Sequence, residues 1–166
     1  AAVSACENGG AWVQALQLFR DMVEGRLERE AITYNAAISA CEKGGVWVWA
    51  LELLREMREG RIETDEISYG AAVSACEKSG EWVHALHLYH EMTEAVVDTD
   101  TAFYHLAMSS CEKGGEWVPA LQLYREMVDG RLESNTITYS AAISACEKGE
   151  EWVQALQLFH EMAGSR

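Results

Sequence analysis

Apolar residues recur at helical spacing in the stretch 32–43 of the chain. Tyr34, Ala37, Ile38 and Cys41 lie three or four positions apart, so a helix would carry them on one face. Two glycines follow directly, and glycine readily adopts the left-handed conformation in which many helices end. The pattern therefore predicts an amphipathic helix that stops at this pair of glycines.

A second amphipathic stretch runs from Val46 to about Glu59 and stops before Gly60. Its apolar positions also keep helical spacing, with charged residues between them. They are Trp47, Ala50, Leu51, Leu53, Leu54 and Met57. We expect the small side chain of Ala50 to let the two helices cross closely. The two stretches together predict a helical hairpin, followed by the short loop 61–65.

The same hairpin recurs every 35 residues. Two residue types mark the register, with cysteine at Cys6, Cys41, Cys76, Cys111 and Cys146 and tryptophan at Trp12, Trp47, Trp82, Trp117 and Trp152. The period divides 1–166 into a partial repeat 1–30, whole repeats 31–65, 66–100 and 101–135, and a partial repeat 136–166. First helices are expected to end at Gly9-Gly10, Ser79-Gly80, Gly114-Gly115 and Gly149 in the other copies. Because each hairpin exposes an apolar side that only another hairpin can cover, the sequence predicts one all-α array, an α-solenoid of helix-turn-helix repeats.

Neither the cysteines nor the histidines indicate a framework of disulfides or metal ligands. An odd number of cysteines, one at the same slot of each repeat, is typical of a buried structural position. His84, His87 and His90 step by three along one predicted helix, on a face that is polar and variable between copies, which is a poor tetrahedral site. We therefore predict no metal, no cofactor and no catalytic residue. No apolar run approaches the ~20 residues of a membrane span, so no membrane association is predicted either.

The amino-acid sequence of the repeat resembles that of a known family. A period of 35 is close to the roughly 34 residues of tetratricopeptide repeats, so the period alone does not decide. The segments ITYNAAISA (32–40), KGG (43–45) and ALELLREM (50–57) are similar to the pentatricopeptide repeat. Further copies match nearly as well, at Ile67–Ala75 with Ala85–Met92 and at Ile137–Ala145 with Ala155–Met162. The resemblance implies a right-handed superhelix that binds single-stranded RNA along a groove lined by the first helices.

The resemblance also implies which residues would read the RNA. In that family the fifth and the last residue of a repeat together choose one base. The corresponding pairs are Asn35 with Asp65, Gly70 with Asp100, and His105 with Asn135, and Ser140 is the fifth residue of the last repeat. The family's pairing of Asn with Asp favours uracil, which is therefore expected for the repeat 31–65. An Asn amide and an Asp carboxylate do supply donors and acceptors for a base edge.

Two further sets of positions follow from the same resemblance. The second residue of a repeat would sandwich the base, at Ile32, Ile67, Ala102 and Ile137. A lysine at the end of the first helix would approach phosphate, at Lys43, Lys78, Lys113 and Lys148. Other interpretations stay open from the residues themselves. The lysines also suit a solvated helix C-terminus, and Asp65, Asp100 and Asn135 precede a helix, where they would be good N-caps. The tryptophans, on an apolar stripe, are expected in the core rather than in base stacking.

The net charge of −14 has the wrong sign for a nucleic-acid binder, whose affinity usually rests on Lys and Arg. First-helix segments carry six acids and four lysines, a net of −2, so the remaining segments carry −12 of the total. The acidic charge is therefore concentrated away from the helices expected to line the groove. A glutamate nevertheless precedes each groove lysine, at Glu42, Glu77, Glu112 and Glu147.

From the resemblance we expect a sequence-specific single-stranded RNA-binding protein without catalytic activity or a small-molecule substrate. It would act as an adaptor in organellar RNA processing, editing, stability or translation, in a mitochondrion or plastid. The rival hypothesis is a protein-protein interaction scaffold, whose groove takes a peptide or a partner helix as tetratricopeptide repeats do. The acidic surface favours this rival.

Overall fold

The structure is a computed structural model that describes residues 12–24, 30–94, 101–130, 132 and 136–164. All regular secondary structure within these residues is helical. The helices are α1 Trp12–Glu24, α2 Ala31–Gly44, α3 Trp47–Glu59, α4 Glu66–Ser79, α5 Trp82–Glu94, α6 Thr101–Gly114, α7 Trp117–Asp129, α8 Thr136–Lys148 and α9 Trp152–Gly164. The chain forms two compact halves, Ala1–Ser79 and Gly80–Arg166.

The apolar faces expected from the sequence are confirmed in α2 and α3. Tyr34, Ala37, Ile38 and Cys41 are all buried in α2. The second stripe is buried at its centre in α3, through Ala50, Leu53, Leu54 and Met57. The prediction of an all-α helical-repeat fold is therefore correct, with α2 and α3 beginning or ending within a residue of the expected positions.

First helices end at a residue in the left-handed conformation. In α2, this residue and the one after it each donate a backbone hydrogen bond to the last turn of the helix. Gly45 has a φ of 65° and donates its N–H to the Glu42 carbonyl, while the Val46 N–H reaches Cys41 at 3.0 Å. In the last repeat, α8 ends at Lys148, directly before Gly149 as expected, but the left-handed position falls on the next residue. The left-handed residue there is Glu150, with a φ of 60°.

In the first half, α2 packs on α4, while α1 packs on α2 and α3 packs on both α2 and α4. Close crossing depends on small residues, since Ala15 and Ala50 are fully buried in α1 and α3. Phe19 of α1 meets Tyr34 of α2 edge to face, with ring centroids 4.8 Å apart. First helices thus form a layer of direct neighbours, and second helices lie behind them.

The second half repeats this arrangement, with α6 packed on α8 and the second helices α5, α7 and α9 in contact with first helices. Tyr89 and Tyr104 lie edge to face at 5.3 Å, and Tyr124 lies against Tyr139 at 5.5 Å. The Tyr124 hydroxyl also donates to a carboxylate oxygen of Glu161 at 3.2 Å. In the second half, Tyr89 and Tyr124 thus each join one repeat to the next through an aromatic contact and a hydroxyl–carboxylate hydrogen bond.

The recurring cysteines are structural in the described part of the chain. Cys41, Cys76, Cys111 and Cys146 are buried free thiols, as expected, and Cys6 lies outside the described residues. Burial raises the pKa of the Cys41 and Cys111 thiols to about 12. These thiols therefore stay protonated at neutral pH and pack as small apolar groups.

The recurring tryptophans were expected to pack in the core, and those of α1, α3, α5 and α7 are partly buried. Trp12, Trp82 and Trp117 each lie against the glycine near the end of the first helix of the following repeat. A Cβ at Gly44, Gly114 or Gly149 would overlap the indole ring. Trp152, in contrast, is 69% exposed. The tryptophan therefore packs at the edge between repeats, where glycine leaves room for the ring.

Candidate nucleic-acid interface

The second position of each repeat is apolar and open to solvent. Ile32 is 75% exposed on α2, and Ile67 and Ile137 are each 64% exposed on α4 and α8. Ala102 on α6 is exposed as well. Large aliphatic side chains exposed at one repeating slot offer much of their surface to a ligand.

Asn35 and Asp65, which the family resemblance assigns to one base, lie in contact. The Asn35 amide nitrogen donates to both carboxylate oxygens of Asp65, at 3.2 and 3.4 Å. The amide orientation follows from charge, because the opposite orientation would set the Asn35 carbonyl oxygen against a carboxylate. Residues 30 positions apart thus form one polar group between the starts of α2 and α4.

Asp65 also caps α4. Its carboxylate accepts hydrogen bonds from the Ser68 backbone N–H at 2.9 Å and the Ser68 hydroxyl at 2.7 Å, and its own N–H donates to the Ser68 oxygen. Burial by itself raises the pKa of this carboxyl, but the hydrogen bonds from Ser68 and Asn35 outweigh burial and the net pKa is lowered. The capping alternative is therefore correct for Asp65, together with the contact to Asn35.

One acceptor of this group has no partner. The Asn35 Oδ1 atom is buried and makes no hydrogen bond. An unsatisfied buried acceptor costs about 1–3 kcal/mol and is uncommon in folded proteins. Because the atom is covered, a ligand can use it only after a rotation of the Asn35 side chain.

In the second half, four of the sequence-predicted positions line one groove. The space between α6 and α8 measures about 700 Å³, and Ala102, His105, Ile137 and Ser140 contribute to its walls. The His105 Nε2 atom lies 2.7 Å from the hydroxyl of Thr138, a buried residue at the slot that Ser68 fills in the first half. Asn35 in the first half and His105 in the second half are therefore each held by a polar partner, and the two partners differ.

Two of the predicted reading pairs are not complete in the described part of the chain. Asp100 and Asn135 lie outside the described residues. Their partners differ, since Gly70 on α4 has no side chain to offer and His105 faces the groove between α6 and α8. The contact between the fifth and the last residue is therefore visible only for Asn35 and Asp65.

Two of the predicted phosphate-contacting lysines are paired with glutamates of the preceding repeat. The Lys78 Nζ atom lies 2.8 Å from Glu42, which also accepts a hydrogen bond from the Ser74 hydroxyl. Lys148 lies 3.3 Å from Glu112, which accepts from the Ser144 hydroxyl at 2.8 Å. The two lysine side chains are about half exposed, so a phosphate can reach them, but only in competition with the glutamates.

The other two lysines, Lys43 and Lys113, are exposed in the last turns of α2 and α6. All four predicted lysines therefore lie at equivalent helix ends, where a positive charge also interacts favourably with the helix dipole. The serines that hold the glutamates were missed by sequence reasoning. Their signal is the spacing, since Ser74 lies 32 residues after Glu42 and Ser144 lies 32 residues after Glu112.

Metal-binding clusters and membrane-spanning helices are both absent from the described residues. No group of three or more His, Cys, Asp or Glu side chains is arranged to hold a metal ion within them. His84 and His87 instead lie 3.7 and 3.8 Å from Glu81 and Glu91, on the exposed side of α5. Among the helices described, none has the length and apolar character that crossing a membrane requires.

These features define a helical-repeat protein whose first helices present exposed aliphatic and tethered polar residues at repeating slots. The family model described as PPR repeat matches residues 32–62, 67–95, 103–132 and 137–166. The chain belongs to the pentatricopeptide repeat family. No curated protein sequence matches it significantly.

Solved structures share the fold at low sequence identity. The pentatricopeptide repeat protein PPR10 from maize is 22% identical with a TM-score of 0.80, over 98% of this chain and 23% of that chain. PPR10 in complex with an 18-nt psaJ RNA element gives a TM-score of 0.72 at 20% identity, over 98% of this chain and 27% of that one. The PPR domain of Arabidopsis thaliana protein-only RNase P 1, solved with tRNA, gives 0.82 at 12% identity, covering 97% of this chain and 85% of that domain. This chain therefore spans about a quarter of the PPR10 chains that it resembles.

Proposed function

We propose that the chain binds single-stranded RNA along its first helices, with one repeat for each base. The hydrogen bond between Asn35 and Asp65 carries the proposal, because it joins two residues that the family assigns to one base. A joined amide and carboxylate offer a donor and acceptors to a base edge, and single-stranded RNA exposes such edges. Structures of related folds with an 18-nt RNA element and with tRNA support this ligand class.

In this proposal the exposed aliphatic residues cover the faces of unstacked bases. Ile32 and Ile67 belong to the neighbouring helices α2 and α4, and Ala102 and Ile137 line the groove between α6 and α8. Burying these side chains against a base removes apolar surface from water, which favours binding at about 25 cal/mol per Å². Asn35 with Asp65 reads uracil, and Gly70, Asp100, His105, Asn135 and Ser140 take the corresponding roles in the other repeats.

The cellular role proposed with this binding is that of an adaptor. The chain has no catalytic role of its own here, and brings a transcript site to processing, editing, stabilisation or translation machinery in a mitochondrion or plastid. Membership of the pentatricopeptide repeat family supports this assignment.

The test is a titration of labelled single-stranded RNA pools at low salt, with wild type and Asn35→Ser. We expect the wild type to prefer uracil at one position of the selected RNA and the variant to shift that position toward a purine. Gln122→Ser, on the exposed side of α7, should leave the preference unchanged. Absence of binding above background would reject RNA as the ligand, and an unchanged preference in Asn35→Ser would reject the assignment of the reading residue.

A further inference from the structure

An outer groove between α1 and α3 has no part in the proposed RNA face, since only second-helix residues line it. The groove measures about 300 Å³, and its apolar floor is formed by Leu16, Phe19 and Leu53. Trp49 forms one wall, and the Arg20 guanidinium lies over its ring at 4.9 Å from the centroid. Trp49 remains 39% exposed, so an aromatic surface stays open to solvent.

The second half contains the equivalent groove, between α7 and α9, with a volume of about 270 Å³. Seven of its lining residues occupy the slots of the seven residues that line the first groove, three copies later, and three of these seven differ. Gln154 replaces Trp49, Tyr124 replaces Phe19, and Gln157 replaces Glu52. The Tyr124 hydroxyl donates a hydrogen bond of 3.2 Å to the carboxylate of Glu161.

The first-half groove lacks that hydroxyl, because Phe19 carries none. Glu56, which occupies the slot of Glu161, therefore forms no hydrogen bond or ion pair with any residue that the structure describes. Arg20 lines the same groove but contacts Trp49 and makes no ion pair with Glu56 among these residues. Nearby, Glu52 is already paired with Arg55. Within the described residues, the Glu56 carboxylate thus has a Coulombic interaction with the neighbouring Arg55 but no hydrogen bond or ion pair, and it lines the groove beside the exposed Trp49.

We propose that this outer groove binds a peptide segment of a protein partner in which a basic residue stands beside an apolar one. The apolar side chain packs on Trp49, and the basic side chain pairs with Glu56. Tryptophan is enriched among the residues that dominate protein interfaces, because it buries a large surface with few rotatable bonds. The segments outside the first helices carry −12 of the net charge of −14, which attracts a basic partner and repels an acidic one.

The test starts from a displayed library of random peptides selected on the wild-type chain. An enriched peptide is then synthesised with a fluorescent label, and its affinity is measured by anisotropy. Peptides with a basic residue next to an aliphatic or aromatic one should be enriched. Trp49→Gln and Glu56→Gln should each weaken binding by about tenfold or more, as expected for a residue central to an interface.

The repeat supplies matched controls. Gln154→Ala in the equivalent groove should leave binding unchanged, whereas Tyr124→Phe combined with Gln154→Trp should create a second binding site. Circular dichroism verifies that each variant is folded. Enrichment of peptides without a basic residue, or binding that is insensitive to both Trp49→Gln and Glu56→Gln, overturns the proposal. So does self-association of the chain that is lost in Trp49→Gln, since the occupant would then be a second copy. RNA binding by the first helices is measured separately and can fail or succeed independently.

Discussion

Glu150 takes a backbone conformation that L-residues with long side chains rarely adopt. Its φ is 60°, and glycine occupies the equivalent position in the copies that contain Gly45, Gly80 and Gly115. The left-handed conformation costs a non-glycine residue about 1–2 kcal/mol, because Cβ approaches the backbone. The turn nevertheless forms, since the Glu151 N–H reaches the Cys146 carbonyl at 2.8 Å. The end of α8 therefore stores strain.

The first stability prediction is that relieving this strain stabilises the protein. Glu150→Gly should raise the free energy of unfolding by about 1 kcal/mol, because glycine adopts a positive φ without steric cost but is more flexible when unfolded. Urea denaturation followed by circular dichroism measures the change. Glu150→Ala is the matched control, since it removes the charge but keeps Cβ and the strain. An equal gain in both variants would assign the effect to charge rather than to backbone strain.

At the scale of the element, α4 depends on a cap that also reaches another helix. Asp65 accepts hydrogen bonds from Ser68 at the start of α4 and from Asn35 in α2. The N-cap role was one of the alternatives left open by the sequence, and the pairing of Asp65 with Asn35 on one base was implied only by the resemblance. The structure shows that one carboxylate makes both contacts, which couples the start of one first helix to the next.

The second stability prediction concerns this cap and its pH dependence. Asp65→Ala should cost about 1 kcal/mol at neutral pH, as is typical for loss of an N-cap. Because the pKa of the folded carboxyl is lowered, its stabilising effect is present above the unfolded pKa of about 3.9 and is lost as the pH falls through the folded value. Urea denaturation should therefore show that the difference in unfolding free energy between wild type and Asp65→Ala becomes smaller in acid.

Asp65→Asn serves as the control for this prediction. The amide oxygen can still accept a hydrogen bond from Ser68, but the group does not titrate in this range. Its stability relative to Asp65→Ala should therefore stay nearly constant with pH. The difference in unfolding free energy between wild type and Asp65→Ala could instead be the same at pH 7 and in acid. That result would show that the charge of Asp65 does not stabilise α4.

The helices were predictable from the sequence because their signals are local. The spacing of Tyr34, Ala37, Ile38 and Cys41 predicts the buried face of α2, and glycine after it predicts the left-handed turn. The exception, Glu150, was not predictable because nothing in its side chain favours a positive φ. There the hydrogen bonds that close the helix end outweigh the preference of the residue.

The site was less predictable, since it depends on contacts between repeats. Glu42 and Lys43 are adjacent in sequence, but adjacent residues of a helix do not face each other. The partner of Glu42 is Lys78 of the following repeat, 36 positions away. Sequence patterning fixes which face of each helix is buried, but the pairing of polar residues depends on how neighbouring helices are set against each other.

At the scale of the whole molecule, a chain of net charge −14 is proposed to bind a polyanion. Each phosphate contact with a single strand contributes about 0.7 to the slope of log affinity against log salt. Four lysines would give a slope of about −2.8, but Lys78 and Lys148 are held by Glu42 and Glu112. If the glutamates retain these lysines in the complex, the slope is reduced toward about −1.4.

The last prediction follows from that competition and rests on the proposed RNA binding. Glu112→Gln should release Lys148, strengthen RNA binding at low salt and steepen the salt slope by about 0.7, because one more phosphate contact becomes available. Anisotropy titrations at several salt concentrations measure both quantities. Glu147→Gln is the matched control, since it removes the same charge at the same slot, and Glu147 forms no ion pair with the residues that the structure describes. General relief of repulsion would strengthen binding equally in both variants, whereas release of the lysine steepens the slope only in Glu112→Gln. An equal slope in wild type and Glu112→Gln would mean that Lys148 does not contact phosphate.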